Sequence, residues 1–317
     1  MLKRPILLIP LLTGILLVVT GVSLCFGDLG FGFGGIFDFS SELMQNIIFN
    51  IRLPRILGAV IVGAGLAAAG CAMQGLFRNP IADPYLLGTS SGGSLGAAIS
   101  IIFLDGMFTP ILAFIGAILS TMVVYFASQR KGRVSVETLL LTGIAMSFLL
   151  SAMLSFIVCI SNGSLQQIMF FTMGGLGNVL WDDVVIGLLI LTGSFILFFF
   201  SRDMNIMSLG EAKAVHMGVS IEKTKCWLLL ISTFITAITV SIGGCIGVVG
   251  LIVPHIVRLL TGPNHKILLP ASMLSGSLLL VIADTFARSL HEIPVGIITA
   301  FFSAPFFIYL LRRRSHL

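Results

Sequence analysis

Residues that could perform chemistry are few in this chain, and they are scattered. The histidines lie in different loops or at different ends of apolar runs, without metal-ligand spacing: His216, His255, His265, His291 and His316. The cysteines fall in or beside apolar runs, without paired spacing, as small packing residues do: Cys25, Cys71, Cys159, Cys226 and Cys245. A Gly-x-x-x-x-Gly-Lys-Ser/Thr motif is absent, so ATP is not expected to bind here. The sequence therefore predicts no catalytic, cofactor or metal site.

Ionisable residues are almost absent from the centres of the apolar runs, and Asp284 is the exception. Arg288 follows four residues later on the same helical face, where the two charges can pair locally. Because no series of Asp, Glu or His crosses these runs, a proton or sodium path is not expected. Energy for transport is therefore expected from a partner protein.

The composition is that of a membrane protein. Of the 317 residues, 57% are hydrophobic and 10% are charged, with a mean hydropathy of +1.10. Soluble domains carry about 25% charged residues, so this chain is predicted to be an all-α integral membrane protein. The net charge is +5, and the basic residues are scattered between the apolar runs. Their positions therefore serve to predict the membrane topology, and they do not indicate nucleic-acid binding.

Charged residues divide the chain into runs of spanning length, which is about 20 residues. The clear runs are 5–27, 56–77, 84–104, 106–129, 184–201, 267–283 and 293–311. The uncharged run 138–181 is predicted to hold one crossing and a re-entrant or surface helix, with breaks at Asn162-Gly163 and Gly174-Gly175. The uncharged run 226–260 is predicted to hold two crossings split at Gly243-Gly244, the second one short.

This division predicts ten spans with both termini in the cytoplasm. With Lys3-Arg4 inside, three of the 18 Lys and Arg residues lie outside: Arg52, Arg55 and Arg288. Changing the number of crossings in either long run would move later basic residues outside, against the positive-inside bias. Residues 1–317 are thus predicted to form one transmembrane domain, with an outside loop at about 28–51.

Small residues recur every four positions along the second span: Ala59, Gly63, Ala67, Cys71 and Gly75. Such a stripe lets another helix approach closely, and Gly92 and Gly96 repeat the pattern in the third span. Static helix packing and a face that slides during transport both fit it.

A polar segment between the sixth and seventh spans predicts a short cytosolic helix over 208–218. Ser208 and Glu211 have capping-box spacing, and Gly218 suits the C-terminal stop. A helix this short needs something to pack on. A plain loop helix and a docking element both fit, and His216 is interpreted as a surface residue.

Several segments occur in an order that resembles a known family. They are Arg52-Leu53-Pro54-Arg55, Gln74 to Asp83, Leu87-Gly88-Thr89-Ser90, Ser208 to Gly218, Gly247 to Arg258, Leu268-Leu269-Pro270, Ala283-Asp284 and Pro294 to Ala300. Together they resemble the FecCD permeases of bacterial type II ABC importers for ferric siderophores, haem and cobalamin. The resemblance runs from about residue 50 to the C-terminus, and residues 1–49 resemble only a first span and an outside loop.

The resemblance implies a type II ABC importer permease fold and an assembly. The permease would work as a homodimer, or paired with a related permease, in the lipid bilayer of the bacterial cytoplasmic (inner) membrane. Two cytosolic ABC ATPase subunits would carry ATP and Mg²⁺, and a soluble substrate-binding protein would deliver the cargo from outside. This chain would then be a transport subunit and not an enzyme.

The resemblance also implies residue roles. Arg52, Arg55 and Arg288 would form salt bridges with glutamates of the binding protein, although anchoring to lipid headgroups also fits these arginines. The coupling helix, seated in a groove of the ATPase, would comprise Ser208, Leu209, Gly210, Glu211, Ala212, Ala214 and Gly218. The lower gate would lie around the fifth span and in the loop after the second span, made stiff by two X-Pro pairs: Asn79, Pro80, Asp83, Pro84, Leu86, Leu87 and Ser90.

Two other functions compete with this one. An ion-coupled secondary transporter of small solutes requires mid-membrane charges and a broken-helix site, which are largely missing. A membrane enzyme requires a cluster of His and carboxylate residues near one interface. Which cargo passes is not determined by the sequence, because the binding protein does most of the selecting in such carriers.

Overall fold

The computed structural model describes residues 5–25, 42–130, 133–161 and 163–314, so residues 28–41 of the predicted outside loop lie outside it. The described α-helices are α1 Leu8–Cys25, α2 Glu42–Asn46, α3 Leu53–Phe77, α4 Thr89–Phe103, α5 Thr109–Ser128, α6 Val136–Ile160, α7 Leu165–Met173, α8 Trp181–Phe199, α9 Ser201–Met207, α10 Glu211–His216, α11 Ile221–Gly243, α12 Val249–Thr261, α13 His265–Ser289 and α14 Val295–Arg314. A π-helical stretch, Ile47–Arg52, runs into α3, and 3-10 helices cover Pro5–Leu7 and Pro84–Leu87.

Seven described helical segments are long and apolar enough to cross a membrane: Pro5–Cys25, Ile47–Phe77, Thr109–Ser128, Val136–Ile160, Trp181–Phe199, Ile221–Gly243 and His265–Ser289. Two further apolar helices, α4 and α12, are shorter. The 13 residues of α12 reach about 20 Å at 1.5 Å per residue, less than the roughly 30 Å hydrocarbon core. The predicted helical membrane class is therefore confirmed, and every run predicted as a span contains a helix.

Both long uncharged runs are divided near the predicted glycines. Helix α6 ends at Ile160, and Gly174 ends the nine-residue α7 with a φ of +72°. Helix α11 ends at Gly243, and Gly244 follows with a φ of +66°. Glycine adopts such positive φ values at no steric cost, which is why these positions interrupt the helices.

The third predicted span is shorter than expected. Run 84–104 opens with a 3-10 helix, because the Asp83 carboxylate accepts a hydrogen bond from the Tyr85 N–H at 2.8 Å. Gly88 then adopts a φ of +78°, and α4 begins only at Thr89. One feature differs from the all-α prediction: residues Gln129–Arg130 pair with Arg133–Val134 as a two-residue antiparallel β-ladder.

Helix α3 is the centre of the bundle, and every residue from 61 to 77 is buried. It packs against α8, α11, α12 and α13. Its predicted small-residue stripe faces α13, since a Cβ on Gly63 would lie 2.4 Å from the Gly276 carbonyl oxygen. At the other end of the stripe, a Cβ on Gly75 would lie 3.0 Å from His265 Nε2. The stripe is thus a packing face, as one of the two interpretations expects.

The second predicted stripe also packs. A Cβ on Gly92 would lie 2.3 Å from the Gly116 carbonyl oxygen, and one on Gly96 would lie 2.1 Å from that of Leu112. Helices α4 and α5 are therefore in backbone contact. By contrast, α6 buries only Leu139 and Gly143, so most of its apolar surface is exposed.

Candidate functional site

Helices α3 and α13 lie side by side and antiparallel, so charged residues gather at two opposite ends of this pair. The first group, here called the arginine end, comprises Arg52, Arg55, Asp284, Arg288 and Glu292. The second group, here called the short-helix end, comprises Arg78, Glu211 and Lys225, with helix α10. The sequence places the arginines on one face and the short helix on the other, and the structure separates them in this way.

Arg55 lies between two carboxylates at the arginine end. Its Nε is 2.9 Å from Asp284 Oδ1, and its Nη1 is 2.8 Å from Glu292 Oε1. The Arg55 side chain is 6% exposed and that of Asp284 is 1% exposed, whereas that of Glu292 is 45% exposed. Both partners lie more than 200 positions away in sequence, so periodicity could not reveal them.

Asp284 is shared between two guanidinium groups. Arg288 Nε lies 3.2 Å from Asp284 Oδ2, one helical turn away on α13. The predicted local pairing of these two residues is confirmed. Because a buried charge is costly unless paired, Asp284 stabilises both arginines within the bundle. The structure thus places Arg55 and Arg288 inside the protein, in ion pairs, and not on an open surface.

Two of the three arginines also hold the C-terminal end of α1. Arg52 Nη1 donates to the Leu24 carbonyl at 2.9 Å, and Arg288 Nη2 donates to Ser23 Oγ. The last carbonyls of a helix lack partners within it and carry partial negative charge. The arginines therefore join α1 to α3 and α13, which is a role that the sequence does not indicate.

Glu292 lies in a turn with unfavourable backbone geometry. His291 and Glu292 have φ values of +61° and +60°, and such values are uncommon for residues other than glycine. Across from this turn lies the exposed Gly177, at which a Cβ would be 3.6 Å from Glu292 Oε2. Glu292 was not predicted from the sequence, where its one signal is an acidic residue three positions after the end of the helix that carries Arg288.

The predicted short helix is present, but its start differs. Helix α10 begins at Glu211 with Gly210 as N-cap, at a φ of +114°, and no side chain caps it. The predicted capping box is therefore wrong, because Ser208 Oγ donates instead to the Asn205 carbonyl at 2.6 Å. At the other end Gly218 has a φ of +84°, as a helix stop requires.

Glu211 attaches the short helix to its neighbours. Its Oε1 lies 3.1 Å from Lys225 Nζ on α11 and 3.4 Å from Arg78 Nη2 at the end of α3. Ala214 is fully buried, whereas Ala212 is exposed and Leu209, Val215 and Met217 are each more than half exposed. Three exposed apolar side chains on this short helix and directly beside it form a surface suited to contact with another protein.

Asn205, just before the short helix, is tied to the start of α13. Its Oδ1 accepts from the His265 backbone N–H at 2.8 Å and lies 2.8 Å from His265 Nδ1. Its Nδ2 donates to Asn264 Oδ1 at 2.9 Å. This junction was not predicted from the sequence, and it connects the short-helix end to the helix that carries Asp284 and Arg288.

The predicted gate loop is held by its own hydrogen bonds. Asn79 Oδ1 accepts from the Ile81 N–H at 3.1 Å, and Thr89 Oγ1 donates to the Pro84 carbonyl at 3.1 Å. Burial raises the pKa of the Asp83 carboxyl to about 6, although the Tyr85 N–H opposes this change by stabilising the ionised form. The expected stiffness of the loop thus has a physical basis beyond its prolines.

The same loop packs against three other parts of the bundle. Ser120 Oγ on α5 donates to the Gly88 carbonyl at 2.9 Å, and a Cβ on Gly143 of α6 would lie 2.3 Å from the Leu86 carbonyl. A Cβ on Gly250 of α12 would lie 2.7 Å from a Pro84 ring carbon. In the loop Pro84 and Leu87 are buried, whereas Asn79, Pro80, Asp83, Leu86 and Ser90 are half-buried.

The described residues contain no group of three or more His, Cys, Asp or Glu side chains that could hold a metal ion. The arrangement of both ends is instead one of ion pairs, helix ends and exposed apolar residues. Charged and apolar groups of these kinds can form contacts between proteins.

Comparison with known proteins gives consistent matches along the chain. The family model of the FecCD transport family matches residues 15–313. The cobalamin import system permease protein BtuC of Halobacterium salinarum is 45% identical over 278 residues, covering 86% of this chain and 75% of that protein. The hemin transport system permease protein HmuU of Yersinia pestis is 37% identical over 325 residues, covering 98% of this chain and 97% of that protein.

A solved structure is also similar. It is described as an inward-facing conformation of an ABC transporter of the metal-chelate type, and it superposes with a TM-score of 0.87. The two chains are 34% identical, and the match covers 96% of this chain and 98% of the other. The similarity therefore includes the arginine end, the gate loop and the short helix together.

Proposed function

Because the chain belongs to the FecCD transport family, we propose that it moves an iron chelate, such as a ferric siderophore or haem, or a corrinoid across a membrane. It is a multi-pass transport subunit and not an enzyme. The observation that carries the cargo proposal is that relatives named for cobalamin and hemin import match most of the chain. ATP would be bound by a separate subunit.

The topology that fits this role has ten spans with both termini in the cytoplasm. Seven long apolar helices, the shorter α4 and α12, and α14 would supply the ten crossings. In this arrangement the arginine end faces outward and the short-helix end faces the cytosol of a cell whose cytoplasmic membrane holds the protein. The basic residues support this orientation, since all except three fall on the cytosolic side.

The assembly would contain two permease chains, two cytosolic ATPases and one soluble binding protein outside. The exposed apolar face of α6 is available to a second permease chain. The exposed apolar residues of α10, with Ala214 packed inward, suit a groove on the ATPase. Movement of α10 would reach α13 through Asn205 and His265, and α3 through Glu211 and Arg78. The gate loop contacts α5, α6 and α12, so displacement of those helices would change it.

Transport can be tested in proteoliposomes that contain this permease, its ATPase and its binding protein. We expect ATP-dependent uptake of one among haem, a ferric siderophore and cobalamin, and no uptake with an ATPase variant that cannot hydrolyse ATP. Uptake driven by a proton or sodium gradient without the ATPase would contradict the proposal. So would the absence of uptake for all three cargo classes in an assembled, ATP-hydrolysing complex.

Docking of the binding protein is proposed to use the arginine end. Arg52 is the best position to test, because Arg55 and Arg288 are buried in ion pairs, whereas Arg52 is half-buried and donates to the Leu24 carbonyl of α1. Arg52→Glu should weaken docking by about tenfold at low salt, since charges at an interface steer association. Lys223→Glu, the same charge reversal at an exposed position of the opposite end, is the control. Equal affinities for the two variants would refute docking at the arginines.

A further inference from the structure

The arginine end poses a problem of access. The Arg55 side chain is 6% exposed and already contacts two carboxylates. A carboxylate from a partner protein can therefore reach this guanidinium only if one of the present neighbours moves. The two neighbours, Asp284 and Glu292, differ in burial, in the ion pairs that they make and in backbone geometry.

Asp284 cannot readily leave. Its side chain is 1% exposed and lies within α13, where it pairs with both Arg55 and Arg288. Moving it would leave two buried guanidinium groups without this shared carboxylate, and uncompensated buried charge is strongly unfavourable. Asp284 is therefore the fixed partner of Arg55.

Glu292 can leave at small cost. It lies outside any helix and its side chain is 45% exposed, so water can solvate the carboxylate once it separates from Arg55. The positive φ values of His291 and Glu292 oppose the turn that holds it there. The exposed Gly177 beside the pair carries no side chain, and this leaves space on the side from which a partner would approach.

We propose that Glu292 occupies Arg55 in the undocked permease as a substitute for a carboxylate of the partner, and that docking exchanges one carboxylate for the other. The partner is an acidic surface of the substrate-binding protein, and the inference rests on the docking role proposed above. Exchange keeps Arg55 paired at every stage, so the buried charge is never left alone.

The charges explain why exchange would tune affinity. Arg55 and Arg288 carry two positive charges, and Asp284 and Glu292 carry two negative charges, so these four side chains together are neutral before docking, and the nearby Arg52 adds one positive charge to this end. Removing the charge of Glu292 raises the net charge of the whole arginine end from +1 to +2, which favours a partner carboxylate. Docking would then no longer compete with an internal ion pair.

The test compares Glu292→Gln with Asp182→Asn in the assembled transporter, with purified binding protein as the probe. Asp182 is an exposed acid at the start of α8, close to Trp181, whose Nε1 donates to the Phe49 carbonyl just before Arg52. Both variants remove one negative charge near the same end. Glu292→Gln should lower the Kd about fivefold at low salt, as expected for a half-exposed ion pair, and Asp182→Asn should change it less than twofold. The gain should shrink in high salt.

The outcomes separate exchange from docking itself. If Glu292→Gln and Asp182→Asn have equal effects while Arg52→Glu weakens binding, docking stands and exchange is overturned. If Arg52→Glu also has no effect, the docking role fails and the inference fails with it. A further arm places Glu292→Gln in an Arg55→Gln background that retains its thermal unfolding midpoint. The gain should disappear there, and a gain of unchanged size would overturn exchange.

Discussion

The two ends of the α3–α13 pair hold charges in opposite ways. At the arginine end, Asp284 is 1% exposed and bridges two buried guanidinium groups. At the short-helix end, Glu211 is 45% exposed and its partner Arg78 is 37% exposed, although its other partner, Lys225, is 7% exposed. Buried pairs must be satisfied for the bundle to form, whereas exposed pairs contribute little. The arginine end is therefore part of the folded core, whereas the attachment of the short helix is weaker, and we infer that this helix can move with a partner.

The largest loss of stability is expected from removing the buried carboxylate of Asp284 at the arginine end. Asp284→Ala leaves Arg55 and Arg288 without their shared carboxylate, which should destabilise the protein by about 3–5 kcal/mol. We expect a much lower thermal unfolding midpoint in detergent, or loss of folded protein. Asp182→Ala, at an exposed acid of the same end, should leave the midpoint almost unchanged. Similar midpoints for the two variants would show that the buried ion pairs do not hold this end.

The close approach of helices α3 and α13 gives the next prediction. In Gly63→Ala the added Cβ would lie 2.4 Å from the Gly276 carbonyl oxygen, so α3 and α13 must separate. Overpacking of this kind should cost about 1–3 kcal/mol. Gly14→Ala is the control, because a Cβ there meets no atom within 4 Å and alanine favours the helix. Opposite signs are expected for the two changes in unfolding midpoint, and equal signs would contradict the packing interpretation.

The sequence predicted these features unequally, for physical reasons. The pairing of Asp284 with Arg288 and the helix breaks at Gly174 and Gly243-Gly244 follow from local rules of spacing and backbone freedom. The contacts of Arg55 with Asp284 and Glu292 join residues 229 and 237 positions apart, and a single sequence carries no signal for such pairs. The charge count placed the arginines at one end, but it could not show that two of them are buried.

The short helix shows the same limit on a smaller scale. Its position and its stop at Gly218 were predicted from residue types. The capping box was wrong because Gly210, with its positive φ, separates Ser208 from the first helical turn. Asn205 and His265 are 60 positions apart in sequence. Their hydrogen bond is evident only from the structure, in which α9 and α13 are adjacent.

The loosely held end should respond to changes in its exposed surface rather than in its charges. Val215→Asp places a charge on the exposed apolar face of α10, where Val215 is 59% exposed. Binding of the ATPase should weaken by about tenfold, as for an apolar contact residue at an interface, with little change in thermal stability. Val215→Leu keeps the apolar surface and should bind normally. Normal assembly and transport with Val215→Asp would exclude α10 as the contact.

The smallest effect is expected for the exposed charge itself. Glu211→Gln removes ion pairs with Arg78 and Lys225, but Lys225 keeps Glu222 and the Val134 carbonyl as partners. The expected cost is below about 1 kcal/mol, and it should vanish in high salt, because exposed charges are screened. The loss caused by Asp284→Ala should persist in high salt, since buried pairs are screened much less. The measurement is the unfolding midpoint of both variants at low and high salt. If Glu211→Gln proves as costly and as insensitive to salt as Asp284→Ala, the short helix is fixed as firmly as the arginine end, and its freedom to move with a partner would have to be abandoned.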